Sequence, residues 1–240
     1  MLFSKSTIME IRHITSMQEI TSIIIADAVL IVAFSLTIAG GIPGFQSNSA
    51  TALSTFIYYL PIAALGVSLS FILHEMMHKF VAMKYGAYAE FRTSLMGLAI
   101  TLVTSAFGFL LGIPGATYIF SNSFTTKENG IVSLAGPLTN FVVFAVFLGL
   151  SVILHPAANS YMANALSFTI FISILLAFFN MLPISPLDGS KVLKWNKLIY
   201  GVVMATIFIL MLLFKVVSIL DLGILIVIAL LFSLFYRSVL

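Results

Sequence analysis

Cysteine is absent from the 240-residue sequence. That excludes a disulfide framework and leaves histidine and carboxylate as the side chains able to hold a metal. Charge is almost as scarce. Asp, Glu, Lys and Arg make up 8% of the residues, whereas a soluble globular domain uses roughly 25%. A chain that is 61% hydrophobic cannot cover itself with polar groups, so membrane lipid is expected to be the solvent for most of its exterior. The length accommodates about six spans of roughly 20 residues with short loops. It leaves no room for a separate soluble domain, and a single membrane-embedded domain over residues 1–240 is expected. Eleven Lys and Arg against eight acidic residues give a net charge of +3. In so apolar a chain this excess reads as membrane orientation, and no nucleic-acid partner is expected. Internal repeats and low-complexity tracts are missing. The first 21 residues lack a short apolar core, and the apolar run after them carries Asp27, so no cleaved signal peptide is expected.

The fold class expected is an α-helical polytopic membrane protein with a short re-entrant β-hairpin segment. Residues 1–20 mix apolar and charged side chains and suit an interfacial helix. The first span is expected at about 21–40, ending at Gly40-Gly41-Ile42-Pro43-Gly44, with Gln46 to Thr51 as a loop. The second starts near Pro61, a residue suited to a first helical turn, and runs to about 85, with Gly86 as C-cap. Residues 91–120 are apolar but broken by Gly97, Gly108, Gly112, Pro114 and Gly115, and their Thr, Phe and Val favour strands over a helix. Further spans are expected at about 131–154, 162–182, 198–218 and 222–238, the last two joined by a tight turn at 218–222.

The second span contains His74-Glu75-Met76-Met77-His78. Residues four apart share a helix face, so the two imidazoles can reach one metal ion. Glu75 projects about 100° around the helix from His74. It is close enough to accept a proton from an attacking water without being a ligand. The bland alternative is a pair of core histidines satisfied by hydrogen bonds. Against it stands the setting, because ionisable residues within an apolar span are costly and mark function.

A catalytic zinc commonly has three protein ligands and an open position. His13 lies in the amphipathic N-terminus and His155 beside Pro156 in a loop, both read as solvated surface residues, so the third ligand is expected to be a carboxylate. The candidates are Asp27, Glu90, Glu128, Asp188 and Asp221. Asp188 stands apart through its setting, Asn180-Met181-Leu182-Pro183-Ile184-Ser185-Pro186-Leu187-Asp188-Gly189. Two prolines three apart break a helix there, and unwound backbone at membrane depth is tolerated where it lines a cavity. An ordinary Asp-Gly turn at the membrane surface remains open on these residues alone.

The sequence HEMMH, followed about 110 residues later by NMLPISPLDG, resembles the site-2 proteases, the M50-type intramembrane zinc metalloproteases, with paired signatures HExxH and NxxPxxxLDG. Ala135-Gly136-Pro137-Leu138-Thr139-Asn140 is similar to the AGPxxN that begins the family's next span. The resemblance implies one zinc per chain held by His74, His78 and Asp188, with Glu75 as general base. It places Asn180 near the scissile peptide, and it implies hydrolysis of a peptide bond in or near the transmembrane segment of a membrane-protein substrate. Regulatory PDZ or CBS domains have no room here. A CAAX-type membrane zinc protease would take its third ligand from a downstream helical Glu, whereas the glutamates that follow here, Glu90 and Glu128, are read as near loops; a metal transporter would show internal repeats, and none is seen.

The two site motifs also constrain topology. For Asp188 to reach the depth of His74 and His78, residues 91–120 must re-enter rather than cross. Lys79, Lys84 and Arg92 then mark a cytoplasmic end, with both termini cytoplasmic. Residues 116–120, strand formers after a Pro-Gly turn, are expected to offer an edge on which an extended substrate adds as a strand.

Overall fold

A computed structural model of the protein describes residues 15–112, 114–121 and 124–214. Among these are helices α1 (Met17–Ile38), α2 (Gly41–Ser47), α3 (Ser49–Lys84), α4 (Leu95–Ala106), α5 (Thr126–Leu154), α6 (Tyr161–Asn180), α7 (Asp188–Trp195) and α8 (Lys197–Leu213). Strands β1 (Tyr88–Thr93) and β2 (Gly115–Phe120) form an antiparallel pair. Four helices, α1, α3, α5 and α6, are long and apolar enough to cross a membrane; α8, with 17 residues, is apolar but shorter. Large apolar side chains such as Leu95, Val142, Ile153, Leu198 and Leu213 are exposed along the helices, as expected of a membrane protein whose solvent is lipid. The expected span 222–238, the turn at 218–222, Asp221 and His13 lie outside the described residues.

The described chain divides into two compact units. The first comprises residues up to Leu60 together with Tyr88–Phe120, and the second comprises Pro61–Ala87 and the residues from Ser121 on.

In the first unit, α1 is N-capped by Ser16, whose Oγ accepts from the Glu19 N–H. Glu19 is fully buried, and its Oε1 accepts from the Phe91 N–H at 3.0 Å, which ties α1 to β1. The stretch from Gln46 to Thr51, expected to be a loop, is helical on both sides of Asn48. The Asn48 Oδ1 accepts from the Thr51 N–H and caps α3, so the polarity there serves a helix end. The second span accordingly starts at Ser49 and carries Pro61 inside it rather than at its start. Neighbouring groups in an apolar protein can accommodate the one backbone bond that a proline removes.

Residues 91–120 form strands only at their ends. Between them lies α4, where strands were expected. Ser94 caps it by accepting from the Gly97 N–H. Its threonines, read from propensity as strand formers, turn their hydroxyls to the helix's own carbonyls: Thr101 to Gly97 and Thr104 to Ile100. They also satisfy the returning chain. The Thr101 Oγ1 donates to the Leu111 carbonyl, and the Leu111 N–H donates to the Thr104 Oγ1. The β pairing is therefore closed by a helix-containing arc instead of a tight hairpin turn. The register pairs Thr93 with Gly115 and Tyr88 with Phe120, so the arc returns to the point it left. Its 12-residue helix is too short to span a bilayer.

In the second unit, the part of α3 beyond Pro61 packs on α6 through small residues. Gly66 lies against Phe168 and Thr169, and one turn later the hydroxyls of Ser70 and Ser173 are 2.8 Å apart. Small residues allow close helix approach in lipid, and hydroxyl pairs act as polar contacts there. His74 and His78 continue that row at four-residue steps. The core of this unit gathers Phe144, Ile174, Phe178, Met181, Ile207 and Met211. Helix α3 ends as expected at Gly86, in the left-handed region at φ 74°, with the Ala87 N–H bonded back to Ala82.

Candidate metal centre

His74 and His78 sit one turn apart on α3, both buried. Asp188 is the first residue of α7. Helix α6 ends at Asn180, and the chain between them passes through a turn containing Pro183 and Pro186 before α7 begins. Glycine is required after Asp188, because a Cβ on residue 189 would collide with the carbonyls of Met181 and Leu182. The carboxylate stands at a helix N-terminus, where negative charge is favoured.

The three side chains converge. The His74 and His78 Nε2 atoms are 3.0 Å apart, and Asp188 Oδ2 lies 3.4 Å from the first and 3.0 Å from the second. In a tetrahedral zinc site with bonds of about 2.0–2.1 Å, ligand atoms stand about 3.3–3.4 Å from one another. The observed separations are those of ligands that need only small outward shifts to accept the ion. The other carboxylate oxygen, Oδ1, is 3.5 Å from the Lys191 Nζ. Asp188 is buried, and the imidazoles of His74 and His78 together with the Lys191 ammonium offset the cost of burying its carboxylate. An ionised carboxylate and two imidazole nitrogens form a donor set suited to zinc.

Helix α5 supplies the wall behind the histidines. Its Val132 carbonyl accepts from the His78 Nδ1 at 2.7 Å. A carbonyl can only accept, so Nδ1 carries the proton, and in the neutral ring the lone pair of Nε2 faces the cluster. Four residues on, Gly136 has no side chain where a Cβ would fall on both Nε2 atoms. Four further on, buried Asn140 approaches the His74 Nδ1, its Nδ2 3.1 Å away. Pro137 has no N–H to bond the Ser133 carbonyl, which loosens the helix in this turn. Residues 132, 136 and 140 thus share one face of α5, laid antiparallel along the His74–His78 face of α3. Their individual contacts were not read from the sequence. The available signal was their spacing of four around the Gly-Pro pair.

The remaining candidates are elsewhere. Glu75 is half-buried on α3 beside the two histidines. Asn180 ends α6, half-buried, with its Nδ2 donating to the Leu176 carbonyl at 3.0 Å. Glu128 completes a capping box with Thr125 at the start of α5. Glu90 lies on β1 and accepts from Ser16 and Arg92. His155 is the C-cap of α5, and Asp27 lies within α1. Among the described residues, the one grouping of three metal-ligating side chains is His74, His78 and Asp188.

Comparison with known proteins agrees with this arrangement. The profile of peptidase family M50 matches residues 150–211, the stretch that includes Asn180 and Asp188. A Methanocaldococcus jannaschii protein provisionally named a zinc metalloprotease is 45% identical over 143 residues, covering 59% of this chain and 74% of that protein. The chain belongs to peptidase family M50. More distant relatives, also provisionally named zinc metalloproteases, are Rip2 of Mycolicibacterium smegmatis and YwhC of Bacillus subtilis. Rip2 is 25% identical over 69% of each chain. YwhC is 26% identical over 59% of this chain and 74% of its own. No solved structure matches.

The wall formed by α5 in this M50 member gives a direct test. Gly136→Ala places a methyl group where the two Nε2 atoms stand and is expected to abolish stoichiometric zinc uptake by the purified protein. Gly149→Ala, on the same helix with nothing within 4 Å, is expected to leave uptake unchanged. Normal zinc content in Gly136→Ala would show that α5 does not limit the site.

Proposed function

We propose that this chain is an intramembrane zinc metalloprotease that hydrolyses a peptide bond in or near the transmembrane segment of a membrane-protein substrate. The observation that carries this reading is the convergence of His74, His78 and Asp188 beside a glutamate on an apolar helix. In this reading these three residues hold one zinc ion per chain. Zinc, when bound, lowers the pKa of water towards neutrality and polarises the scissile carbonyl. Glu75 takes the proton of the attacking water and passes it to the leaving amine, without serving as a ligand. Lys191 engages Asp188 Oδ1 and leaves Oδ2 to the centre. Asn180 holds the substrate backbone or the developing oxyanion, exchanging its bond to Leu176 for one to substrate.

Ligand and base roles separate experimentally. Glu75→Gln is expected to retain one zinc and to lose cleavage of a single-span substrate by about 10²–10⁴-fold. His74→Ala and Asp188→Asn are expected to lose the metal. Asn180→Ala is expected to keep zinc and lose about 10²–10³-fold. Metal content and chelator-sensitive cleavage of purified protein decide the matter, and full activity of Glu75→Gln sinks the mechanism.

We further propose that the active site lies towards the cytoplasmic side, in the cell membrane, with both termini cytoplasmic. The antiparallel alignment of α3 with α5 at the histidines, together with an arc over 94–114 that returns to its start, supports re-entry rather than crossing. Lys84, Arg92, Lys194 and Lys197 are exposed and fit the excess of positive charge on the cytoplasmic side. Lys79, expected among them, is buried and does not contribute. A reporter fused after Lys127 is expected to read as cytoplasmic, and an external reading would refute the topology.

Substrate must be extended to be cut, and β2 is the strand proposed to receive it. The outer side of β1 is engaged by Glu19, and β2 has no second strand beside it among the described residues. With no native cysteine, Thr117→Cys and Ile119→Cys in the Glu75→Gln background each give a unique thiol. Disulfide trapping against a cysteine scan of the substrate is expected to show register-dependent crosslinks near the scissile bond. Uniform crosslinking would argue against strand addition.

A further inference from the structure

Asn140 is fully buried on α5, with its amide against the ring edge of His74 that faces away from Asp188. We propose that Asn140 is a positioning residue for the metal: its amide oxygen holds the proton of His74 on Nδ1, so that the Nε2 lone pair is presented to zinc. The proposal rests on the metal reading above and assigns a partner to the ligand that lacks a backbone one.

The two histidines differ in how their tautomers are set. At His78 the Val132 carbonyl accepts at 2.7 Å, and the proton has to reside on Nδ1. At His74 the polar neighbour on the Nδ1 side, among the described residues, is the Asn140 amide, 3.1 Å away through Nδ2. An amide can donate or accept, because a half-turn about its last bond exchanges oxygen and nitrogen without a change of volume. With Nδ2 towards the ring, the amide donates to Nδ1, and the proton of a neutral His74 sits on Nε2, the atom that faces His78 and Asp188. With Oδ1 towards the ring, the amide accepts, and Nε2 is free to bind metal. Oδ1 has no protein partner as placed, so the half-turn breaks no bond on its far side. Zinc binding selects the second orientation. This matches the general arrangement in which a metal-bound histidine donates its other N–H to an oxygen that fixes ring orientation and basicity.

Geometry on α5 supports a directed role. Val132 and Asn140 lie one turn before and one turn after Gly136, and each meets one of the two rings that Gly136 admits. A residue included only for helix packing would not need to meet the ring edge opposite the metal-facing nitrogen.

The test uses the full-length protein in detergent, with zinc alone as ligand. Affinity is measured by competition with a chromophoric chelator, and the cobalt-substituted protein is followed by visible absorption. Asn140→Leu, which keeps the volume but removes the acceptor, is expected to weaken zinc by about 10–100-fold and to shift the cobalt bands. Asn140→Asp, an acceptor in every orientation, is expected to hold zinc as tightly as wild type or more so. Asn140→Ala gives the same loss as leucine and serves if the leucine variant does not fold. The proposal is overturned if folded Leu or Ala variants bind zinc as wild type does, with unchanged cobalt spectra. It is also overturned if Asp weakens binding as much as Leu. A wild-type protein that takes up no zinc would instead overturn the parent reading.

Discussion

The close approach of α5 to the histidine face of α3 is the constraint on which the site depends. Two imidazoles one turn apart do not by themselves make a metal centre. They must be turned so that both Nε2 atoms face one point, and something must hold each ring from behind. Helix α5 does this with a carbonyl, a missing side chain and an amide at successive turns. Gly136 sets the distance, since any Cβ there would occupy the position the nitrogens need. Gly130, earlier on the same helix, admits the Trp195 side chain of α7 just as closely. One helix therefore positions both the histidine pair and the short helix that opens with Asp188.

An apolar solvent sharpens every polar choice in the chain. Backbone and side-chain polar groups that would turn to water in a soluble protein need partners within the fold. The hydroxyls of Thr101 and Thr104 satisfy the chain returning from α4, and those of Ser70 and Ser173 satisfy each other. Asp188 opens α7 directly after the non-helical stretch 181–187, and its carboxylate is paired with two imidazoles and Lys191. A buried ionised group left without such partners would be costly. The side chains that gather at the site also offset the cost of burying one another.

The small sheet follows the same logic. Two strands in isolation are marginal, and here β1 is fixed by a buried glutamate whose carboxylate takes the Phe91 N–H. Arg92 lies over the rings of Tyr118 and Phe120 across the pair, a cation–π contact typically contributing about 0.5–1 kcal/mol at exposed sites.

The sequence by itself determined the membrane setting, the helix carrying the two histidines, the break before Asp188 and the family resemblance. Each rests on local composition or on short spacing: apolar runs of sufficient length, a four-residue interval on one helix face, two prolines three apart. Tertiary structure decided the rest. Propensity assigned Thr101 and Thr104 to strands, but their hydroxyls found carbonyls in a helix and in the returning chain. Pro61 read as a helix start, yet Asn48 caps that helix three turns earlier. The set Asp27, Glu90, Glu128, Asp188 and Asp221 could not be narrowed by spacing alone, because a carboxylate serves equally as a cap, a strand anchor or a ligand until its neighbours are known. The capping box claimed Glu128, and Ser16 and Arg92 claimed Glu90. Asp188 met the histidines because α5, about 50 residues before it in the chain, brings α7 and α3 to the same place, and contact between segments so far apart is a property of packing rather than of any local pattern.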